Sequence, residues 1–157
     1  SMVADYILET YGIHLVQSRT TRKKRDEADT GHIFVSEAEF DSYPKEDIIA
    51  ITNFGGKRYC CLHSDVNQWA NTYVIDESGL KFLKSGYGYR YNIFSIRLLR
   101  PEEKRIAQVG KERVGRDAGK FTMKNQEFDV VIPNVTDSPE DLFNEVDLVI
   151  AKNMLYL

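Results

Sequence analysis

The sequence predicts an α+β fold: a mainly antiparallel β-sheet built from hairpins, with an N-terminal helix, a helix near 101–114 and an amphipathic C-terminal helix. Three observations predict it. A Gly55-Gly56 pair separates two β-rich runs, IIAITNF and KRYCCLH. Apolar residues recur at helical spacing near both ends of the chain. Proline followed by acids opens helices at 101 and 139. With 157 residues, 42% of them hydrophobic and 29% charged, the chain is expected to form a single globular domain over 2–157. Ser1 before Met2 reads as a cleavage scar.

Taken in order, Val3, Tyr6, Ile7 and Tyr11 share a helical face that Gly12 is placed to end. IHLVQ (13–17) and HIFVS (32–36) read as short strands. Residues 18–31 between them form a long charged loop, and a loop of that length in a compact domain is either functional or disordered. A tight turn at Gly55-Gly56 pairs Phe54 with Lys57, Thr52 with Tyr59, Ile51 with Cys60 and Ile49 with Leu62. That register puts Ile49, Ile51, Cys60 and Leu62 on one face, and Ile48, Ala50, Thr52, Tyr59, Cys61 and His63 on the other. Both faces are apolar enough to be covered. NTYVID (71–76) and LKFLK (80–84) read as a second hairpin around Glu77-Ser78-Gly79, and 86–99 as one long strand. KFTM (120–123) and EFDVVI (127–132) read as a third hairpin. Ser138 is placed to cap the C-terminal helix, whose apolar face is Leu142, Phe143, Val146, Val149, Ile150 and Met154.

Composition narrows the function. No run approaches the roughly 18 apolar residues of a membrane span and no signal peptide is visible, so a cytoplasmic protein without a membrane partner is expected. Cys60 and Cys61 are adjacent and are not expected to bridge. Two cysteines and three histidines (His14, His32, His63) supply no recognisable zinc motif, and neither metal nor cofactor is expected. The net charge of −3 argues against a generic polyanion binder. Charge is nevertheless segregated: Arg19, Arg22, Lys23, Lys24 and Arg25 form a basic finger, followed by a predominantly acidic stretch over 26–47.

The leading expectation is a small non-catalytic binding protein of the inhibitor or adaptor type, such as a phage-borne antagonist of a host system. It would dock on a protein or a protein–nucleic-acid complex. Its contacts would be the basic finger, the acidic segment 37–47, read as a solvated loop, and the acidic side of the C-terminal helix at Asp137, Asp141, Glu145 and Asp147. Asp26, Glu27 and Asp29 beside the finger would repel a polyanion, which favours a protein surface of mixed charge.

Two other readings start from specific residues. GYGYRY partly resembles the third-strand motif of RNA-recognition domains, with Gly86, Tyr87, Gly88 and Tyr89 matching. The resemblance stops there, because Gly55-Gly56 and a strand stand where that fold has its first helix. On a strand, however, Tyr87, Tyr89 and Tyr91 would share a face and could stack single-stranded nucleic acid beside Arg90. In CCLH, Cys61 and His63 would project from the same strand face, which makes a Cys61–His63 dyad of a Cys/His-dependent enzyme geometrically conceivable, although side chains two apart on a strand stand away from each other. GRDAGKFT (115–122) is one residue short of phosphate-loop spacing and has Phe121 at the hydroxyl position, so it is not read as a nucleotide signature.

Overall fold

The structure, a computed structural model, describes residues 1–111 and 122–153. The chain divides into two compact units, Ser1–Asn92 and Ile93–Leu157. Among the described residues the architecture is mixed α/β, with five α-helices and three small sheets, and parallel pairs occur in all three. The mainly antiparallel sheet expected from the sequence is therefore borne out only in part.

The first unit runs α1 (Met2–Tyr11), β1 (His14–Leu15), β2 (Arg19–Thr20), β3 (Ile33–Phe34), α2 (Glu37–Ser42), β4 (Ile48–Phe54), β5 (Lys57–Leu62), β6 (Asn71–Thr72) and α3 (Glu77–Tyr87). Helix α1 ends as expected at Gly12, whose φ of 67° is a left-handed conformation that glycine adopts without a Cβ penalty. Strands β1 and β6 pair in parallel. The four-stranded sheet has the order β3-β2-β5-β4, with β2–β3 parallel and the other two pairs antiparallel. A parallel pair needs a crossover, and here residues 21–32 make it.

The β4–β5 hairpin forms at Gly55-Gly56, both at positive φ, with Phe54↔Lys57, Thr52↔Tyr59 and Ile51↔Cys60 as predicted. Beyond these the register differs, because Ala50 faces Cys61 and Ile48 faces Leu62, leaving Ile49 as an extra, bulged residue. The bulge exchanges Ile48 and Ile49 between faces. Ile49, Ala50, Cys61 and Val16 pack on one side, joined by Val66, Tyr73, Ile75, Leu83, Tyr87 and Tyr91. Ile48, Cys60, Leu62 and Phe40 pack on the other with Val35, Tyr43 and Ile51. Both faces of the hairpin are covered, as its composition predicts.

The expected second hairpin is a helix instead. Asp76 Oδ1 accepts from the Gly79 N–H at 2.8 Å and caps α3, and Leu80, Leu83 and Tyr87 follow at helical rather than alternating spacing. The long strand 86–99 is corrected with it. Helix α3 runs through Tyr87, a turn follows in which Arg90 and Tyr91 donate backbone bonds to the Tyr87 carbonyl, and strand begins only at Ile96. The acidic segment 37–47 is not a solvated loop, since Ser36 caps α2 by accepting from the Glu39 N–H at 3.0 Å.

The second unit runs β7 (Ile96–Leu99), α4 (Glu102–Val109), β8 (Val130–Pro133) and α5 (Pro139–Asn153). Strands β7 and β8 pair in parallel from Ile96↔Val130 to Leu99↔Pro133, and Asn125–Glu127 is a short 3-10 turn. Among the described residues 122–132 no hairpin is formed, and residues 120–121 of the expected one lie outside them. Asp129 fastens the start of this pair by accepting from the Ser95 N–H at 2.7 Å. Helix α5 buries Leu142, Val146 and Ile150, as its predicted face requires, while Met154 lies outside the described residues. Residues 115–121 of GRDAGKFT also lie outside them. Among the described residues no helix is long and apolar enough to cross a membrane.

Candidate functional site

The basic finger does not project as one patch. Its first member, Arg19, faces inward from β2: its Nη2 and Nε donate to the two oxygens of Asp65 at 2.8 and 3.0 Å, and its Nη1 donates to the Tyr43 hydroxyl at 3.2 Å. This partly buried two-point pair holds the guanidinium charged, and Arg19 is structural. The remaining four residues lie on the crossover loop.

That loop is built to hold its shape. Thr20, fully buried, donates through Oγ1 to the Arg58 carbonyl at 2.9 Å and accepts from the Arg22 N–H at 3.1 Å, tying the loop's start to β5. Arg22 turns back across the loop to Asp29, with N–O distances of 2.8 and 3.3 Å, and its guanidinium lies 5.2 Å from the Phe34 ring centroid. Asp29 also accepts from the Arg25 N–H at 3.0 Å. The Arg22 guanidinium, and then the Arg25 N–H, hold the Asp29 carboxyl at about 2, well below the usual carboxylate range. Asp29 is thus neutralised from within the loop and does not repel an anion as the sequence suggested.

Around Arg22 the sheet adds polar groups that the sequence did not single out. Tyr59, on β5, lies near Arg22, and its hydroxyl favours the charged guanidinium. His32, at the loop's end, shares a 2.9 Å hydrogen bond between Nδ1 and Ser18 Oγ. Its ring contacts Tyr59 edge-on at 5.5 Å and Phe34 at 6.3 Å. Burial, and next the Arg22 charge, push the His32 pKa down. Lys23, Lys24 and Arg25 are exposed and form no ion pair among the described residues. Arg22 and His32 on the loop, with Tyr59 from β5 and the exposed Arg25 nearby, make a set suited to an anion with several acceptor oxygens, while Asp26 and Glu27 on the same loop are exposed.

The other predicted sites come out differently. Tyr87, Tyr89 and Tyr91 share no strand face. Tyr87 and Tyr91 lean on the core, Tyr91 hydrogen-bonds His63, and only Tyr89 is open, at 87% exposure. Arg90 donates to His63 Nε2 at 3.3 Å. The stacking platform is not formed. Cys60 and Cys61 are fully buried, and burial pushes their thiols up to about 11 and about 12, the reverse of an activated nucleophile. His63 is engaged by Tyr91 and Arg90, so no Cys61–His63 dyad stands ready. In the acidic segment, Glu37 and Asp41 both pair with Arg58, which lies 4.3 Å above the Phe40 ring, while Glu39 accepts from the Tyr43 hydroxyl. Asp137, on the acidic side of the C-terminal segment, is taken up by Lys104 and Arg100. Among the described residues no group of three or more ligating side chains could hold a metal.

No protein-family model matches the chain, and no curated protein matches it. Among solved structures it is similar to the guanylate kinase from Anaplasma phagocytophilum, with a TM-score of 0.74 and 20% sequence identity. That likeness covers 99% of this chain and 81% of the kinase chain. The expectation of a non-catalytic inhibitor or adaptor is corrected by this likeness: the chain has the fold of that guanylate kinase.

Proposed function

We propose that the first unit binds a nucleoside monophosphate, with the crossover loop 21–32 receiving the phosphate. Guanylate is the ligand suggested by the kinase that shares the fold. The observation that supports the reading is the convergence of Arg22, His32 and Tyr59 near the exposed Arg25, with Asp29, the acid nearest them, already paired to Arg22, while Asp26 and Glu27 stay exposed. Guanidinium groups bind phosphate through parallel N–H donors, and each such contact contributes about 1.5–3 kcal/mol.

The proposal is for binding. Phosphoryl transfer relies on a glycine-rich cradle for the donor phosphates, and the sequence contains no Gly-x4-Gly-Lys-Ser/Thr run. Calorimetric titration with guanosine 5′-monophosphate tests the reading. Saturable binding is expected, weakened about tenfold or more by Arg25→Ala with an unchanged melting temperature. No heat and no saturation at millimolar ligand would overturn it.

A further inference from the structure

We propose that His32 is itself a phosphate ligand, neutral in the empty loop and protonated when a phosphate monoester dianion occupies it. This deepens the nucleotide-binding reading and rests on it.

The geometry carries the inference. His32 sits where the loop enters β3, half-buried between the Phe34 and Tyr59 rings at 6.3 and 5.5 Å. The Arg22 guanidinium lies over the same Phe34, 5.2 Å from its ring centroid, so imidazole and guanidinium share an aromatic neighbour. The His32 Nδ1 is engaged by Ser18 Oγ, whereas its Nε2 has no hydrogen-bond partner among the described residues. The groups acting on the ring are Arg22, Arg25 and Asp29 from the loop, the Tyr59 phenol from β5 and the Ser18 hydroxyl ahead of β2. Two cations face one anion, and that anion is already claimed by Arg22. Burial first, and then Arg22, therefore keep the ring uncharged.

A phosphate dianion beside Arg22 reverses that balance. It adds two negative charges beside two partly buried side chains, where charge interactions are stronger than in water. The protonated ring then donates from Nδ1 to Ser18 Oγ and from Nε2 to a phosphate oxygen, filling the position left unused in the empty loop. Binding takes up a proton, so affinity rises as pH falls toward neutrality. An uncharged nucleoside lacks the group that drives the change.

The test follows the His32 ring by NMR in protein labelled with 15N-histidine, titrated from pH 5 to 8.5 alone, with guanosine 5′-monophosphate and with guanosine. The expected result is saturable nucleotide binding that raises the His32 midpoint by one pH unit or more, with no rise in guanosine. Saturable binding with an unmoved or lowered midpoint would overturn the role of His32 and leave nucleotide binding standing. No saturable change anywhere in the protein would overturn both. Calorimetry supplies a second readout between pH 8 and 7, above the phosphate's own second ionisation at about 6. There the wild type is expected to tighten severalfold on acidification and His32→Gln to stay flat, and equal slopes would overturn the proposal.

Discussion

Arg22 and Asp29 stand seven residues apart on one loop, and their side chains meet in a two-point pair at 2.8 and 3.3 Å. The same carboxylate takes the Arg25 N–H, so one acid sets the position of two arginines. The loop is thereby closed on itself while the Arg25 side chain stays free for a ligand.

This pair fixes an acid-dependent stability. The Asp29 carboxyl, held at about 2 when folded, returns to about 3.9 in the unfolded chain. Its contribution is therefore complete above about pH 4 and is lost as pH falls through about 2. Asp29→Asn is expected to melt lower than wild type at pH 7, with the gap closing toward pH 2. Scanning calorimetry across that range checks it, and a gap independent of pH would contradict the pair's role.

The bulge at Ile49 predicts which isoleucine the core depends on. Ile49 is almost fully buried in the face shared with Ala50 and Cys61, whereas Ile51 is only half-buried on the opposite side. Ile49→Ala is expected to cost about 2–5 kcal/mol and Ile51→Ala clearly less. Urea denaturation measures both, and equal costs would argue for the unbulged register.

The hairpin turn, the end of α1 at Gly12 and the buried stripe of α5 were legible because each rests on local chemistry: positive φ, a cap, or a repeat near four. What was not legible depended on partners far along the chain. The bulge arises from how Ile48 and Ile49 divide between two cores, which alternation alone does not specify. Helix α3 carried a readable signal in Asp76 and in the spacing of Leu80, Leu83 and Tyr87, masked by its glycines and by the alternation of NTYVID just before it. In the site, charge counting found Arg22 and Arg25. It set Asp29 against them as a repeller because pairing within the loop has no one-dimensional signature. His32 and Tyr59 read as strand residues, and only the sheet order brings them beside Arg22.

Asp76 joins α3 to the sheet. Its Oδ1 caps the helix at Gly79, and its Oδ2 accepts from Thr52 Oγ1 at 2.7 Å. Asp76→Ala is expected to lose about 1–2 kcal/mol, the usual value of an N-cap. Gly79→Ala, which raises helix propensity, is expected to destabilise nonetheless. A Cβ there would stand 2.8 Å from Ile75 Cγ1 and 3.1 Å from Asp76 Oδ1. Chemical denaturation checks both, and a stabilising Gly79→Ala would mean the Ile75 side chain yields freely.

The two thiols are expected to be inert in the native protein. Burial raises both, so each is neutral when folded and carries a stability that is present below about pH 8.5 and lost as pH rises above it. Alkylation at pH 7.5 is expected to modify neither cysteine until denaturant is added. Rapid labelling of the folded protein would contradict their placement.

The central claim, that the 21–32 loop receives the phosphate of a nucleotide, is tested most directly by titrating 15N-labelled protein with guanosine 5′-monophosphate and mapping the shifted backbone amides. Saturable shifts are expected at Ser18, Arg22, Arg25, His32 and Tyr59, with inorganic phosphate shifting the loop members of that set at higher concentration. Shifts confined to residues 93–157, or none that saturate, would contradict the claim.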